Sequence, residues 1–526
     1  MKKSSQNFVG GALVLSLGGL LAKILGALYR IPLTNIVGSY GMGLYQLVFP
    51  PYILFLTVAQ AGVPVALSKL IAENNQLGRR DSGRKVFVYA FCLLTVVGLA
   101  SAVLMALLSG VIARMQGNAD TAAAFVVVAP ALLFVPVTNV LKGYFQGNMN
   151  MVPSGVTSVI EQLVKLAVGL TLAYRGMPDV NKAVMGAVWA ITVSEFGSLV
   201  IMSVVYLVHK KRNRIKNLRI DRQDVSQITK QVFALAVPVA LGGFVMQLSQ
   251  VIDSVMVVNL LTVDNGTEMY GLWTGPVNSM LGLPIALSSG VAVSALPDIT
   301  KSYVSGDKER LARSFNSAIK LTLVIALPCT FGMIALSAPI LKLLYSGLPE
   351  REIFVSSVLL SLSGLSIVFL ALLGTCVSVC QAVGKPYSSV VIVALAIVVK
   401  AVVNLVLLPK PEVNIYGAAI SETLCYLFAA SCIIIYLNKS VGLCVDGYTC
   451  VVKPLAAGML MTLVITVAIG FAKDVFSGTL GTLVLIALCA IVYLSTLWLL
   501  KVFDKSEIEL LGRRGGTKVS AQNVRE

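Results

Sequence analysis

Apolar runs of about twenty residues recur from residue 8 to residue 502, parted by short polar or basic connections. That is the length an α-helix needs to cross the hydrocarbon core of a bilayer. Fourteen such runs can be drawn, over approximately 8–29, 44–67, 86–112, 122–141, 152–174, 184–208, 232–260, 271–296, 315–336, 355–381, 388–408, 415–437, 451–471 and 480–502. Composition agrees, since 57% of the side chains are hydrophobic and only 12% charged, where soluble domains carry roughly 25% charge. The expectation is an all-α polytopic membrane protein with 14 transmembrane helices. A net charge of +17 does not imply a nucleic-acid partner, because the basic residues stand in short blocks between the apolar runs. With the N-terminus inside, the cytoplasmic connections hold most of the lysines and arginines, so the positive-inside rule predicts both termini cytoplasmic. The basic start resembles a signal peptide, but no A-x-A site follows and Lys23 interrupts the apolar stretch. Retention as the first membrane helix is therefore expected.

The longest polar segment carries Lys210, Lys211, Arg212, Arg214, Lys216, Arg219 and Arg222 after the sixth run. It divides the chain into a six-helix half at 1–208, a basic cytoplasmic linker at 209–231, facing anionic membrane lipid, and a second six-helix half at 232–438. Helices 13 and 14 follow at 439–503, then a cytoplasmic tail at 504–526. The halves repeat. An offset of 228 pairs Gly62, Val63, Val65, Gly78 and Phe87 with Gly290, Val291, Val293, Gly306 and Phe315, and an offset of 235 pairs Gln146 and Lys165 with Gln381 and Lys400. Six spans separate equivalent helices, so the halves enter the membrane in the same direction, as two parallel repeats with a site between them near mid-membrane.

Enzymatic parts are missing from the sequence: there is one histidine, His209, and no HExxH, GxSxG or Walker A spacing. No metal site or cofactor is expected, and the nine cysteines read as free thiols. What stands out is ionisable residues within apolar runs, where a charge at the bilayer centre costs roughly 2.5 to 3.5 kcal/mol on insertion scales and marks a pathway or a pair. On helix 1, Ala12, Ser16, Gly19, Lys23, Gly26 and Arg30 form one small or polar stripe, which Pro32 is expected to end. Lys23 and Arg30 on that stripe suit an anion with several oxygens, such as a diphosphate, with Arg30 as bidentate donor. The alternative pairs Lys23 with an acidic neighbour and lets Arg30 snorkel outward. An offset of 224 sets Gly243, Gln247, Gln250 and Ser254 opposite Gly19, Lys23, Gly26 and Arg30, so the second half presents a neutral polar stripe. Asp253 beside it reads as a proton or cation site or as a partner for Lys23. Glu161 and Lys165, at i and i+4, read as an internal ion pair, and Glu195, Lys400 and Glu422 as single charges that pair between helices.

Several strings carry a family resemblance: AKILGALYRIP at 22–32, AGVPVALSKLIAE at 61–73, LKGYFQGNMNMVP at 141–153, EQLVK at 161–165 and SALPDITK at 294–301. The chain resembles the stage V sporulation protein B and polysaccharide transporter group, kin to the lipid II flippases of the mouse virulence factor family within the multidrug/oligosaccharidyl-lipid/polysaccharide exporter superfamily. The resemblance implies a V-shaped fold with a central cavity lined by helices 1, 2, 7 and 8, and a groove for a polyprenyl tail at helices 13 and 14. Lys23 and Arg30 match cationic helix 1 positions of those flippases. Helix 2 is apolar across 53–57 where they carry arginine, and helix 8 has Trp273, Thr274 and Asn278 in place of a cation. The expected activity is movement of an undecaprenyl-diphosphate-linked glycan, lipid II first among them, to the outer leaflet of the bacterial cytoplasmic membrane. The drive would be the membrane potential or a proton or sodium gradient. Lys23, Arg30, Gln247, Gln250 and Asn278 are expected to hold substrate, Asp253, Glu161 and Lys165 to couple or pair, and cell-wall synthesis enzymes to be possible partners. A cation-coupled multidrug antiporter is the competing reading.

Overall fold

The computed structural model describes residues 2–60, 62–212, 222–262, 265–471 and 478–502, and every regular element in them is helical. In the first half these are α1 (Lys2–Gln60), α2 (Val63–Gln76), α3 (Arg80–Met115), α4 (Thr121–Val128), α5 (Ala131–Gly147), α6 (Val152–Gly176) and α7 (Val180–Arg212). The second half holds α8 (Arg222–Leu260), α9 (Gly266–Leu272), α10 (Asn278–Val304), α11 (Lys308–Ala335), α12 (Ser337–Leu344), α13 (Glu350–Gly364), α14 (Ser366–Ala382), α15 (Pro386–Leu407) and α16 (Tyr416–Val441). The last two, α17 (Lys453–Phe471) and α18 (Thr479–Leu499), pack on α11. Twelve helical stretches among the described residues are long and apolar enough to cross a membrane. Residues 213–221, in the middle of the expected linker, and the tail from 503 lie outside the described residues.

The first of those stretches runs 60 residues, about 90 Å if straight, which is three times a bilayer core. It is broken at Gly38, where φ is +70°, a left-handed conformation that glycine adopts without Cβ strain. The sequence pointed to Pro32 as the stop instead. Helix continues past Pro32, as membrane helices allow when neighbouring groups take up freed backbone atoms. The left-handed turns at Gly78 and Gly306, 228 residues apart, share a φ of +73°.

The core falls into separate apolar clusters. One apolar cluster holds Tyr29, Leu33, Tyr45, Phe125 and Val188 of the first half, and a larger one gathers Leu272, Phe315, Leu359, Ile397 and Ile433 of the second. Helix α8 packs with both halves. Its early residues Ile228, Val232 and Ala236 pack with Leu67, Phe87 and Met202 of the first half, while Val257 joins the second.

Where the halves meet, near the Gly38 break, their contacts are reciprocal. The backbones of Gly43 and Gly271 approach so closely that a Cβ on Gly43 would strike Thr267 O, and one on Gly271 would strike Ser39 O and the Gly43 nitrogen. Gly43 and Gly271 are 228 residues apart, and so are Ser39 and Thr267. Gln46 Nε2 donates to Thr274 O at 2.5 Å, again across 228 residues. Asn35 Nδ2 donates to Leu344 O and its Oδ1 accepts from Gly347 N, at 3.0 and 3.1 Å. Asn259, 224 residues on from Asn35, donates to Met115 O at 3.0 Å and abuts Gly117. Gln116 Nε2 adds bonds to Leu47 O and Ser254 Oγ, each 3.0 Å. A residue pair i, j matched by its equivalents in the opposite sense is the pattern of a twofold contact.

Candidate functional site

Beneath this seam, between the halves, lies a cavity of about 260 Å³. The first half contributes Arg30 from α1 and, beyond the Gly38 break, Gln46, Phe49 and Ile53. The second half contributes Gln250 and Asp253 from α8, Tyr270 from α9, Asn278 from α10, Lys400 from α15, and Glu422 and Tyr426 from α16. Trp273 and Thr274 reach the wall because residues Trp273–Val277 form a π-turn around Pro276, a distortion frequent at functional sites. The π-turn carries the Asn278 N–H to Trp273 O. Thr274 O, which Asn278 would bond in an α-helix, is thereby left for Gln46.

Four of the residues singled out from sequence therefore line the cavity: Arg30 from the first half, and Gln250, Asp253 and Asn278 from the second. Lys23 and Gln247 do not line the cavity. Lys23 is exposed, and Gln247 has its Oε1 shielded with no hydrogen-bond partner. Arg30 forms no ion pair among the described residues, so its guanidinium is available to the cavity. The suggested Asp253–Lys23 pairing is replaced: Asp253 Oδ2 takes Lys400 Nζ at 2.5 Å, with side chains only 9% and 5% exposed. Asn404 donates to the other oxygen at 3.3 Å and accepts from Ser421 at 2.5 Å. Lys400 thus pairs between helices, as read from sequence, while Glu422 meets no cation within ion-pair distance among the described residues and accepts from Tyr426 at 3.0 Å.

The expected Glu161–Lys165 pair is likewise not formed. Glu161 turns to Lys142 of α5 at 3.5 Å and accepts from Ser198 at 3.1 Å. Lys165 instead lies over the rings of Tyr29 and Phe49, 5.5 and 5.4 Å from their centroids, a cation–π arrangement. One helical turn put the two side chains on the same face; the neighbouring helix offered Glu161 a closer cation. Neither residue lines the cavity, although Phe49, between Lys165 and the interior, does. Asn404 and Ser421 escaped notice in the sequence because single Asn and Ser residues in apolar helices are common packing groups. The usable signal was Lys400 and Asn404 at i and i+4 in a helix with no other charge.

A helical membrane bundle with a polar cavity between two halves is the arrangement of a transporter, and the relatives bear this out. The family model described as polysaccharide biosynthesis protein matches residues 8–302, and one described as MatE matches 238–406. The chain belongs to the polysaccharide biosynthesis protein family. Lipid II flippase MurJ of Bacillus subtilis (strain 168) is 25% identical over 500 residues, which is 91% of this chain and 90% of that protein. Stage V sporulation protein B of the same organism is 25% identical over 328 residues, 61% of this chain and 63% of that protein. Among solved structures, lipid II flippase MurJ in an inward closed conformation superposes with a TM-score of 0.71 at 17% identity, covering 93% of this chain and 99% of that one. An inward-facing multidrug resistance MATE family transporter gives 0.65 at 15% identity, over 80% and 94%. The fold is that of these transporters, and the chain is a multi-pass membrane protein.

Proposed function

We propose that this protein is a flippase that moves an undecaprenyl-diphosphate-linked saccharide, lipid II in the first instance, from the inner to the outer leaflet of the bacterial cytoplasmic membrane. The observation that carries the reading is Arg30, a guanidinium with no carboxylate partner among the described residues, in the wall of a cavity between the halves. Its planar fork suits a diphosphate, and Gln250 and Asn278 offer amide groups to a saccharide. At about 260 Å³ the cavity is smaller than the roughly 300 to 1,000 Å³ that encloses a drug-sized ligand. It accepts the diphosphate, and the rest of the headgroup occupies space opened by separation of the halves.

The membrane arrangement proposed with this reading has fourteen crossings. The break at Gly38 makes two crossings of the first 60-residue stretch, and residues 266–304 add one. Basic residues gather at the Gly78 end, which the positive-inside rule makes cytoplasmic together with both termini. The seam of Asn35, Asn259, Gly43 and Gly271 is then the outer gate, closed here, and the reciprocal contacts support two six-helix halves about an axis along the membrane normal. Export of an anion from a negative interior gains roughly 2.3 kcal/mol per charge per 100 mV, so the membrane potential can contribute to the drive, alone or with an ion gradient.

The test is expression in bacteria depleted of their own lipid II flippase, with outer-leaflet lipid II read by a membrane-impermeant probe. Restoration by the parent chain, and its loss in Arg30→Ala with correct membrane insertion, is expected. A chain that inserts but never restores lipid II export would contradict lipid II as substrate. A cation-coupled multidrug antiporter is the second reading, favoured by the carboxylates of Asp253 and Glu422 in the second half's wall of the cavity and by the MatE match. Gradient-driven efflux of cationic dyes without lipid II export would select it.

A further inference from the structure

The second half's wall of the cavity contains two carboxylates, Asp253 and Glu422, and one ammonium, Lys400. Both oxygens of Asp253 are engaged, by Lys400 and by Asn404, so Asp253 and Lys400 form a neutral unit held in place by the Asn404–Ser421 bond. Glu422 is left over. Its Oε1 accepts from Tyr426, while its Oε2 is shielded from solvent and has no hydrogen-bond partner. An uncompensated carboxylate in such surroundings costs several kcal/mol, so its charge must be balanced by a cation or removed by a proton.

A bound metal ion does not suit the geometry. Hard cations gather several oxygens, Asp253 has none to spare, and no group of three His, Cys, Asp or Glu side chains among the described residues could hold a metal. The groups facing Glu422 are few. They are Asp253 of α8, Lys400 of α15, Tyr270 of α9, Cys425 and Tyr426 on its own helix, and Arg30 across the cavity. Of the other neighbours, α14 carries only the thiols of Cys376 and Cys380, and the charges of α13 are confined to its first turn. Lys400 acts on Glu422 as well as on Asp253, so two carboxylates share one ammonium, and Tyr270 lies within electrostatic reach of Asp253, Arg30 and Glu422. In the empty cavity, Arg30 is the cation not already committed to a carboxylate.

We infer that Glu422 is a proton-binding site that fills when an anion in the cavity engages Arg30. Without the anion, the guanidinium offsets the carboxylate across the cavity. With the anion bound, that positive charge is matched elsewhere, and a proton from cytoplasmic water adds to Glu422. The linkage is reciprocal: the anion raises affinity for the proton, and the proton raises affinity for the anion. This rests on the reading of the cavity as a diphosphate site, and it makes the exported anion and one proton travel together.

Two measurements on the purified full chain separate the ideas. The first uses no ligand. Infrared difference spectroscopy of Arg30→Gln should reveal a protonated carboxyl band, absent from the parent at neutral pH, that disappears in Arg30→Gln/Glu422→Gln. No such band, or a band that persists in the double variant, overturns the inference. The second is calorimetry with UDP-glucose, whose diphosphate diester does not titrate near neutrality, in buffers of different ionisation enthalpy. The parent should take up close to one proton per molecule bound, with affinity falling up to about tenfold per pH unit as Glu422 titrates. In Glu422→Gln, binding should persist with no proton uptake and a flat pH profile. Unchanged uptake in Glu422→Gln overturns the inference. If UDP-glucose does not bind although the infrared band behaves as expected, the proton site stands and the diphosphate reading fails.

Discussion

Asn35 in the first half and Asn259 in the second each bond the last carbonyl of a helix in the opposite half, Leu344 O of α12 and Met115 O of α3. Five residues earlier on the same two helices, the likeness stops. Arg30 lines the cavity, while its counterpart by the same 224-residue offset, Ser254, is drawn into the seam by Gln116. The second half takes its charge from the next residue, Asp253, and neutralises it with Lys400. Backbone closure is a problem with a symmetric solution, since each half must satisfy the same carbonyls and pack the same glycines. Charge at the cavity is not, because two facing cations would repel and two facing carboxylates would repel likewise. The equivalent walls are therefore complementary rather than alike.

The largest effect should come from unbalancing that complementarity. Asp253→Ala leaves Lys400 buried without its partner, and breaking a buried pair from one side costs about 3 to 5 kcal/mol. A marked fall in the unfolding temperature in detergent is expected, and most of it should return in Asp253→Leu/Lys400→Met. If the single and double variants melt alike, the pair is not the neutral unit described. Next in size are Gly43→Ala and Gly271→Ala. Each places a methyl against a backbone carbonyl of the other half, and overpacking of this kind costs about 1 to 3 kcal/mol. Spin labels at positions 120 and 350, in a cysteine-free background, should report a shift toward longer distances of similar extent in both variants. A shift in only one would show that the seam is not reciprocal. The smallest effect is expected for Asn35→Ala and Asn259→Ala, at about 0.5 to 1.5 kcal/mol each for the hydrogen bonds lost, read as faster amide exchange at the ends of α12 and α3 respectively.

Much of the fold was legible in the sequence because burial in lipid requires long apolar runs, and those are written without ambiguity. The first helix shows where this stops: Pro32 carried the stronger local signal, but a helix end in a membrane depends on what the neighbouring groups can satisfy, and the break fell at Gly38. For the site, Arg30, Gln250 and Asp253 were found from spacing on two helices, and Asn278 from the family resemblance. Partner choice was not. Asp253 with Lys400, and Glu161 with Lys142, depend on which helices become neighbours, and side-chain spacing along one helix contains no information about that. Gln46 was unrecognisable as a link to Thr274 because its acceptor is a backbone carbonyl freed by a π-turn.

The close approach of Gly43 and Gly271 also bears on ancestry. Two identical six-helix chains associated about a true axis would bring the same glycine to itself in the same manner, and every substitution would then appear on both sides at once. An arginine placed in such a dimer would face its own copy across the axis. Once the two copies are fused in one polypeptide, each can drift separately, and a cation can appear opposite a carboxylate without its mirror image. The unequal walls of the cavity are open to a single chain whose halves vary independently, and closed to a symmetric dimer of identical chains.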